Sequence, residues 1–133
     1  EDMPEGLILA SRHHNNWPET AFNQWFVSRF HALSGRYPSY AAEGAYSGIM
    51  AIAEAVRLAG VDATNDQLQT VLENLMLKLP EDPIGFSSYM DPKTRQLQQV
   101  ISIGTSTKDS SLPPATRLLH NWSVYYPDRR QSH

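Results

Sequence analysis

Few side chains in this sequence combine the types and spacing that chemistry requires. His13 and His14 adjoin, with Asp2, Glu5 and Glu19 as nearby carboxylates, and imidazole with carboxylate is a donor set for zinc or another divalent ion. Adjacent side chains in a loop diverge, however, and the chain has neither an H-x-x-x-H run nor the spacing of a facial triad, so no metal site is expected. Glu43, Glu54 and Asp91 are carboxylates of the kind that general acid–base work needs. None stands in a G-x-S-x-G or S-x-x-K arrangement, and each is expected on a helix surface or in a turn. Asn121-Trp122-Ser123 matches the glycosylation sequon, a short pattern that recurs by chance, and is read as structural. No residue is assigned as catalytic. A small enzyme built on Glu43 or the His pair would lose activity on Glu43→Gln or His13→Ala with folding intact.

The chain of 133 residues is one domain's worth, with 41% hydrophobic residues to build a core and 19% charged, too few for a typical disordered segment. The net charge is −3, and the basic residues are scattered from Arg12 to Arg130 without a stripe that would follow a phosphate backbone, so nucleic acid is not an expected partner. There is no cysteine, which excludes disulfides and thiolate chemistry but fixes no compartment. No apolar run approaches the ~20 residues that span a bilayer, and the first residues do not resemble a signal peptide. A start at Glu1 is expected of a processed or truncated product.

The elements that must position any site follow from periodicity. Leu7–Ala10 reads as a short buried strand running into a polar loop. Pro18 and Glu19 suit the first turn of a helix, and Phe22, Trp25, Phe26, Phe30 and Leu33 form its apolar stripe up to Gly35, a left-handed cap. A second, more buried helix follows Tyr40 and runs to Gly60, with Gly44 and Gly48 permitting close packing. Thr64 and Gln67 have the form of a capping box, opening a third helix over 65–77. Pro80, Pro83 and Gly85 then break the pattern, and Asp91-Pro92 turns a hairpin between Phe86–Tyr89 and Leu97–Ile103. In its second arm Leu97, Gln99, Ile101 and Ile103 form the apolar face and Gln98, Val100 and Ser102 the polar one. Residues 105–116 read as a loop, Leu118–Tyr126 as a last apolar cluster, and the tail after Pro127 as frayed. The first strand then has no neighbour until the hairpin about 75 residues on, an order odd for a self-contained domain.

That order of segments resembles the C-terminal part of a type I periplasmic solute-binding protein, of the group that serves ABC transporters for branched-chain amino acids, amides and urea. Glu5-Gly6-Leu7-Ile8-Leu9-Ala10 is similar to the strand that crosses between the two lobes in that family, and Pro18-Glu19-Thr20-Ala21-Phe22 to the helix start that follows it. Tyr40-Ala41-Ala42-Glu43-Gly44-Ala45-Tyr46 with Ala53-Glu54-Ala55 and Ala59-Gly60 resembles the family's next helix, and Leu68 with Leu72-Glu73-Asn74-Leu75 the one after. Gly85, Asp91-Pro92-Lys93-Thr94, Leu97, Ile101, Ile103 and Gly104 look like its hairpin, over a match covering roughly residues 5–104. This sequence departs by one extra residue between Gly85 and Asp91, and by Arg95 or Gln96 where the family carries a His.

The resemblance implies an α/β fold: the C-terminal part of a two-lobed type I periplasmic binding protein, incomplete on its own. It divides the chain into an interlobe crossing strand (1–12), helical elements packing on one lobe (13–79), a β-hairpin of the other lobe (80–104) and a C-terminal loop and tail (105–133). Apolar helix faces and sheet edges are expected to stand uncovered, awaiting the remainder of the same protein or another copy. The implied function is capture of a small polar metabolite, such as an amino acid, amide or urea-like molecule, in an interlobe cleft for delivery to an ABC permease, with no cofactor. A ligand-sensing regulator or receptor domain of the same fold is the alternative. The implied location is periplasmic or membrane-anchored and extracytoplasmic, the export signal and any lipoprotein cysteine lying in the absent N-terminal part. Tyr46 matches the family's cleft-facing aromatic, although it also fits the packed face of its helix. Arg12 and His13, just beyond the crossing strand, either border the cleft, where Arg12 would pair with a ligand carboxylate, or lie in a solvated loop.

Overall fold

The structure, a computed structural model, describes residues 3–127. Along the chain it contains β1 (Ile8–Ser11), α1 (Ala21–Ser34), α2 (Tyr40–Ala59), α3 (Asn65–Glu73), β2 (Met76–Leu77), β3 (Ser88–Asp91), β4 (Gln96–Gln98), β5 (Ile101–Lys108) and β6 (Arg117–Tyr125). The strands form two separate antiparallel sheets, β1-β5-β6 and β2-β3-β4.

The helices begin and end where local chemistry satisfies their free backbone groups. The Thr20 hydroxyl accepts from the Asn23 amide at 3.1 Å, which makes Thr20 the cap of α1 and leaves Pro18 outside the first turn expected for it. Gly35 closes α1 at φ 70°, in the left-handed region as expected. Ser39 caps α2 in the same way, and the Thr64–Gln67 capping box forms as predicted at the start of α3. α3 stops four residues short of expectation because the chain beyond it is claimed by a ladder: Met76 and Leu77 pair with Tyr89 and Ser88, and the Met90 amide donates to the Leu75 carbonyl at 2.8 Å.

The hairpin forms around Asp91, whose side chain accepts from the Lys93 amide at 2.8 Å, but its second arm is split. β4 ends at Gln98 in the sheet of β2 and β3, and after Gln99 and the fully buried Val100 the chain re-enters the other sheet as β5. The expected faces are thereby exchanged: Ser102, Gly104 and Ser106 point inward, while Ile101 is 48% exposed. Small residues line the inner face because Trp122 of β6 lies across it, so that a Cβ on Gly104 would stand 2.7 Å from the indole and 2.9 Å from Leu119. β5 runs on to Lys108 through residues expected as loop, since alternating Thr105 and Thr107 suit a strand, and β6 occupies much of the segment expected as loop and tail. The tail after Pro127 lies outside the described residues.

The buried apolar residues (Phe26, Val27, Ala55, Leu75, Leu79, Val100, Leu118 and Leu119) are few, and α3 buries none. Ile49 and Ile52 of α2, read as part of its buried stripe, are more than half exposed, and β1, expected to be buried, leaves Ile8 68% exposed at a sheet edge. These are the uncovered faces that an incomplete body predicts.

The tight approach at Gly104 is directly testable. Gly104→Ala should destabilise the protein by about 2 kcal/mol through overpacking against Trp122 and Leu119, read as a lowered urea midpoint with an unchanged denaturant slope.

Candidate functional site

β1 ends at Ser11, and the turn that follows, in which the Ser11 hydroxyl donates to the His13 carbonyl at 2.7 Å, aims the next side chains in different directions. Arg12 is exposed at the rim of a cavity of about 390 Å³ that it lines together with Ala10, Ser11, Tyr40 and Ile101. The cavity thus lies where the end of β1 and the start of β5 meet the first residue of α2.

Arg12 is held from behind. Its Nη1 donates to Oε1 of Gln99 at 3.0 Å, and Nε2 of Gln99 donates to Oε1 of Glu81. Because one end of the Gln99 amide donates and the other accepts, its orientation is fixed. Glu81 is fully buried beside a second buried acid, Glu43, itself 1% exposed, while the Ser47 hydroxyl donates to Glu43. Burial first, and then the neighbouring Glu43, push the Glu81 carboxyl up from 4.5 to about 9, so Glu81 is neutral at neutral pH. Its contribution to stability is full below 4.5 and is lost as pH rises through about 9. Beside it Asp82 ties the loop together, accepting from the amides of Leu79 and Ser88 at 2.9 and 3.0 Å and from the Ser88 hydroxyl at 2.7 Å.

His13 lies neither in a solvated loop nor among the residues lining the cavity. It is 4% exposed, packs edge-on against Phe26 with ring centroids 5.5 Å apart, and joins its Nε2 to Oδ1 of Asn23 at 2.8 Å. Asn23 spends its amide hydrogens on the carbonyls of His14 and Pro18, so its oxygen is the acceptor and His13 Nε2 carries the proton. Burial lowers the His13 pKa, opposed by the bond to Asn23 and the charge of Glu43. His14 faces elsewhere, with Nδ1 near Asn16 and its ring 5.3 Å from Trp122. Glu5 pairs with Arg117, and Asp2 lies outside the described residues.

Tyr46 packs between α1 and α2, with ring centroids 5.0 Å from Phe26 and 6.4 Å from Phe22, and is not among the residues lining the cavity. Tyr40, six residues earlier and so on a different face of the helix, supplies the cavity's aromatic ring. Glu43, expected on a helix surface, is buried; its signal was its setting, a lone acid among Ala41, Ala42, Gly44 and Ala45 with Ser47 one turn on. Glu54 and Asp91 are where expected, paired with Arg57 on the surface and in the turn. Glu81 and Gln99 gave no sequence signal, since the contact joining them spans 18 residues and two breaks in regular structure.

No family model matches the sequence, and no curated protein matches it. Solved structures do. A solute-binding protein of an ABC transporter from Rhodopseudomonas palustris BisB5, in complex with 3,4-dihydroxybenzoic acid, matches 92% of this chain at TM-score 0.78 and 24% identity. The leucine-, isoleucine-, valine-, threonine- and alanine-binding protein of Brucella ovis, in a closed conformation, matches the same share at 0.76 and 16%. An ABC transporter substrate-binding protein from Sphaerobacter thermophilus does so at 0.76 and 19%. The fold is that of part of a type I periplasmic solute-binding protein. The chain spans 31% of the length of each of these structures.

The burial of neutral His13 has a pH signature. A His whose folded pKa is lowered contributes stability above its unfolded value of about 6.5 and loses it as pH falls, because the unfolded chain takes up the proton first. Between pH ~7 and ~5, wild type should therefore lose stability relative to His13→Gln, measured as the difference between their thermal midpoints across that range.

Proposed function

We propose that this chain is part of the substrate-binding component of an ABC importer and contributes one wall of the cleft that captures a small polar metabolite. The observation that carries this is the placing of Arg12 in a cavity between the end of β1 and the start of α2, within a fold matched by transporter binding proteins. β1 is then the strand that crosses between lobes. The hairpin β3-β4 shares its sheet with β2, which follows α3, so it belongs with the helical elements, and the change of lobe falls at Gln99–Val100, where the chain passes from one sheet to the other.

Arg12 suits a ligand that carries a carboxylate. Among the described residues its guanidinium makes one side-chain hydrogen bond, to Gln99, leaving other donors for a bidentate pair, and Tyr40 offers a ring and a hydroxyl beside it. The hydroxybenzoate and the amino acids named for the matching proteins share that group, which widens the expected class beyond amino acids, amides and urea to aromatic acids. Tyr46 and His13 support the site from behind, packing α1 and α2 and fixing the turn after β1. Delivery to a permease and a periplasmic or membrane-anchored location follow from this role. Among the described residues no helix is long and apolar enough to cross a membrane.

A thermal-shift panel of amino acids, amides, urea and aromatic acids on the intact two-lobed protein tests the proposal. A true ligand at 100 times its Kd adds about 2.7 kcal/mol of stability. Arg12→Ala should weaken a carboxylate ligand by about 2 kcal/mol, roughly thirtyfold in Kd by calorimetry, with an unchanged melting point for the empty protein. Equal affinity in wild type and Arg12→Ala would place the ligand elsewhere.

A further inference from the structure

Behind Arg12 lies a buried acid pair that the capture of an anion does not by itself require. Four segments converge on it: Glu43 and Ser47 from α2, Glu81 and Asp82 from the loop between β2 and β3, Gln99 from the link between β4 and β5, and His13 from the turn after β1. The charges facing the pair do not neutralise it. Asp82 adds a further acid, its oxygens committed to Leu79 and Ser88, and His13 is buried and hydrogen-bonded as the neutral tautomer. Among the described residues, the one cation joined to this network is Arg12, reached through Gln99. Oε2 of Glu81 is buried without a hydrogen-bond partner, and Glu43 is the acid that acts most strongly on its carboxyl. Two ionised carboxylates offer each other only acceptors, so a proton between them is what satisfies both.

We infer that Glu43 and Glu81 hold one shared proton, and that this proton decides whether Arg12 is available to an anion in the cavity, an inference that rests on the binding role proposed above. With the proton in place, Glu81 needs from Gln99 only a neutral hydrogen bond, and the guanidinium stays at the cavity rim. When the proton leaves, a second negative charge appears in a buried setting beside Asp82, and Arg12 is the group drawn in to meet it. The carboxylate of a ligand then competes with Glu81 for a single cation. By linkage the effect is reciprocal: a bound anion holds the proton on the pair. Ligand affinity therefore falls as pH rises through the titration of Glu81 near 9.

Two measurements on the intact protein test this. Infrared difference spectroscopy at about pH 7 should show the carbonyl stretch of a protonated carboxylic acid, missing from Glu81→Gln. Calorimetry with benzoate, whose own charge is constant from about pH 6 to about pH 10, should give an affinity about tenfold weaker at the upper end in wild type and a ratio near one in Glu81→Gln. Glu43→Gln, which supplies a fixed donor from the other side of the pair, should flatten the profile equally and serves if Glu81→Gln does not fold. Absence of the carbonyl band overturns the shared proton. A band with a benzoate affinity that does not change with pH overturns the coupling to Arg12. A band with no benzoate binding at any pH, while Arg12→Ala also leaves every ligand of the panel unaffected, overturns the binding role on which the coupling rests.

Discussion

A carboxyl group that is fully buried at the joint of this fold is the constraint on which the surrounding structure depends. Glu81 has no exposed surface, and an ionised carboxylate without a cation would be expelled from such a place, so its neighbours must accept it in the neutral form. That requirement explains the company it keeps: Glu43 as the partner across a proton, Gln99 with its amide turned to donate, and Asp82 holding the loop in place through bonds to Leu79 and Ser88. Four segments distant in sequence are brought to one point by polar contacts. With so small an apolar core, such contacts are what orients the segments relative to each other.

The second constraint is the exchange of sheets at Gln99 and Val100. A single continuous arm would keep the hairpin in one sheet; the break lets β5 lie between β1 and β6, so that an early and a late stretch of the chain are paired to the same strand. The inner face of β5 is small because Trp122 needs the space, and Gly104 is the residue that admits it. Trp122 in turn packs against Trp17 and His14, which fixes the segment leading into α1. Arg12 thus stands between two anchored stretches, with the β1–β5 pairing on one side and the His13–Asn23 bond on the other.

The apolar residues that remain exposed on α2 and β1 belong to the same picture. Ile49, Ile52 and Ile8 are spaced as core residues yet are more than half exposed, and the chain spans 31% of the matching structure's length. In the proposed reading those faces meet the rest of the two-lobed protein, and the cavity beside Arg12 becomes one wall of a closed cleft.

The sequence by itself determined the three helices, the capping box of α3, the left-handed cap of α1 and the turn at Asp91, because these depend on residues within one or two turns of each other, such as Thr64 with Gln67 and Gly35 after the last turn of α1. It also carried, in the order of its segments, the likeness of the fold. Tertiary structure alone decided which face of β5 turns inward, why α3 yields its last turn to a strand, that Tyr40 rather than Tyr46 lines the cavity, and that Glu43 is buried against Glu81. The physical reason is common to all four. Each is settled by a partner many residues away, Trp122 for Gly104, Tyr89 for Met76, Ile101 for Tyr40 and Glu81 for Glu43, and no periodicity within a segment records where a distant segment will be placed.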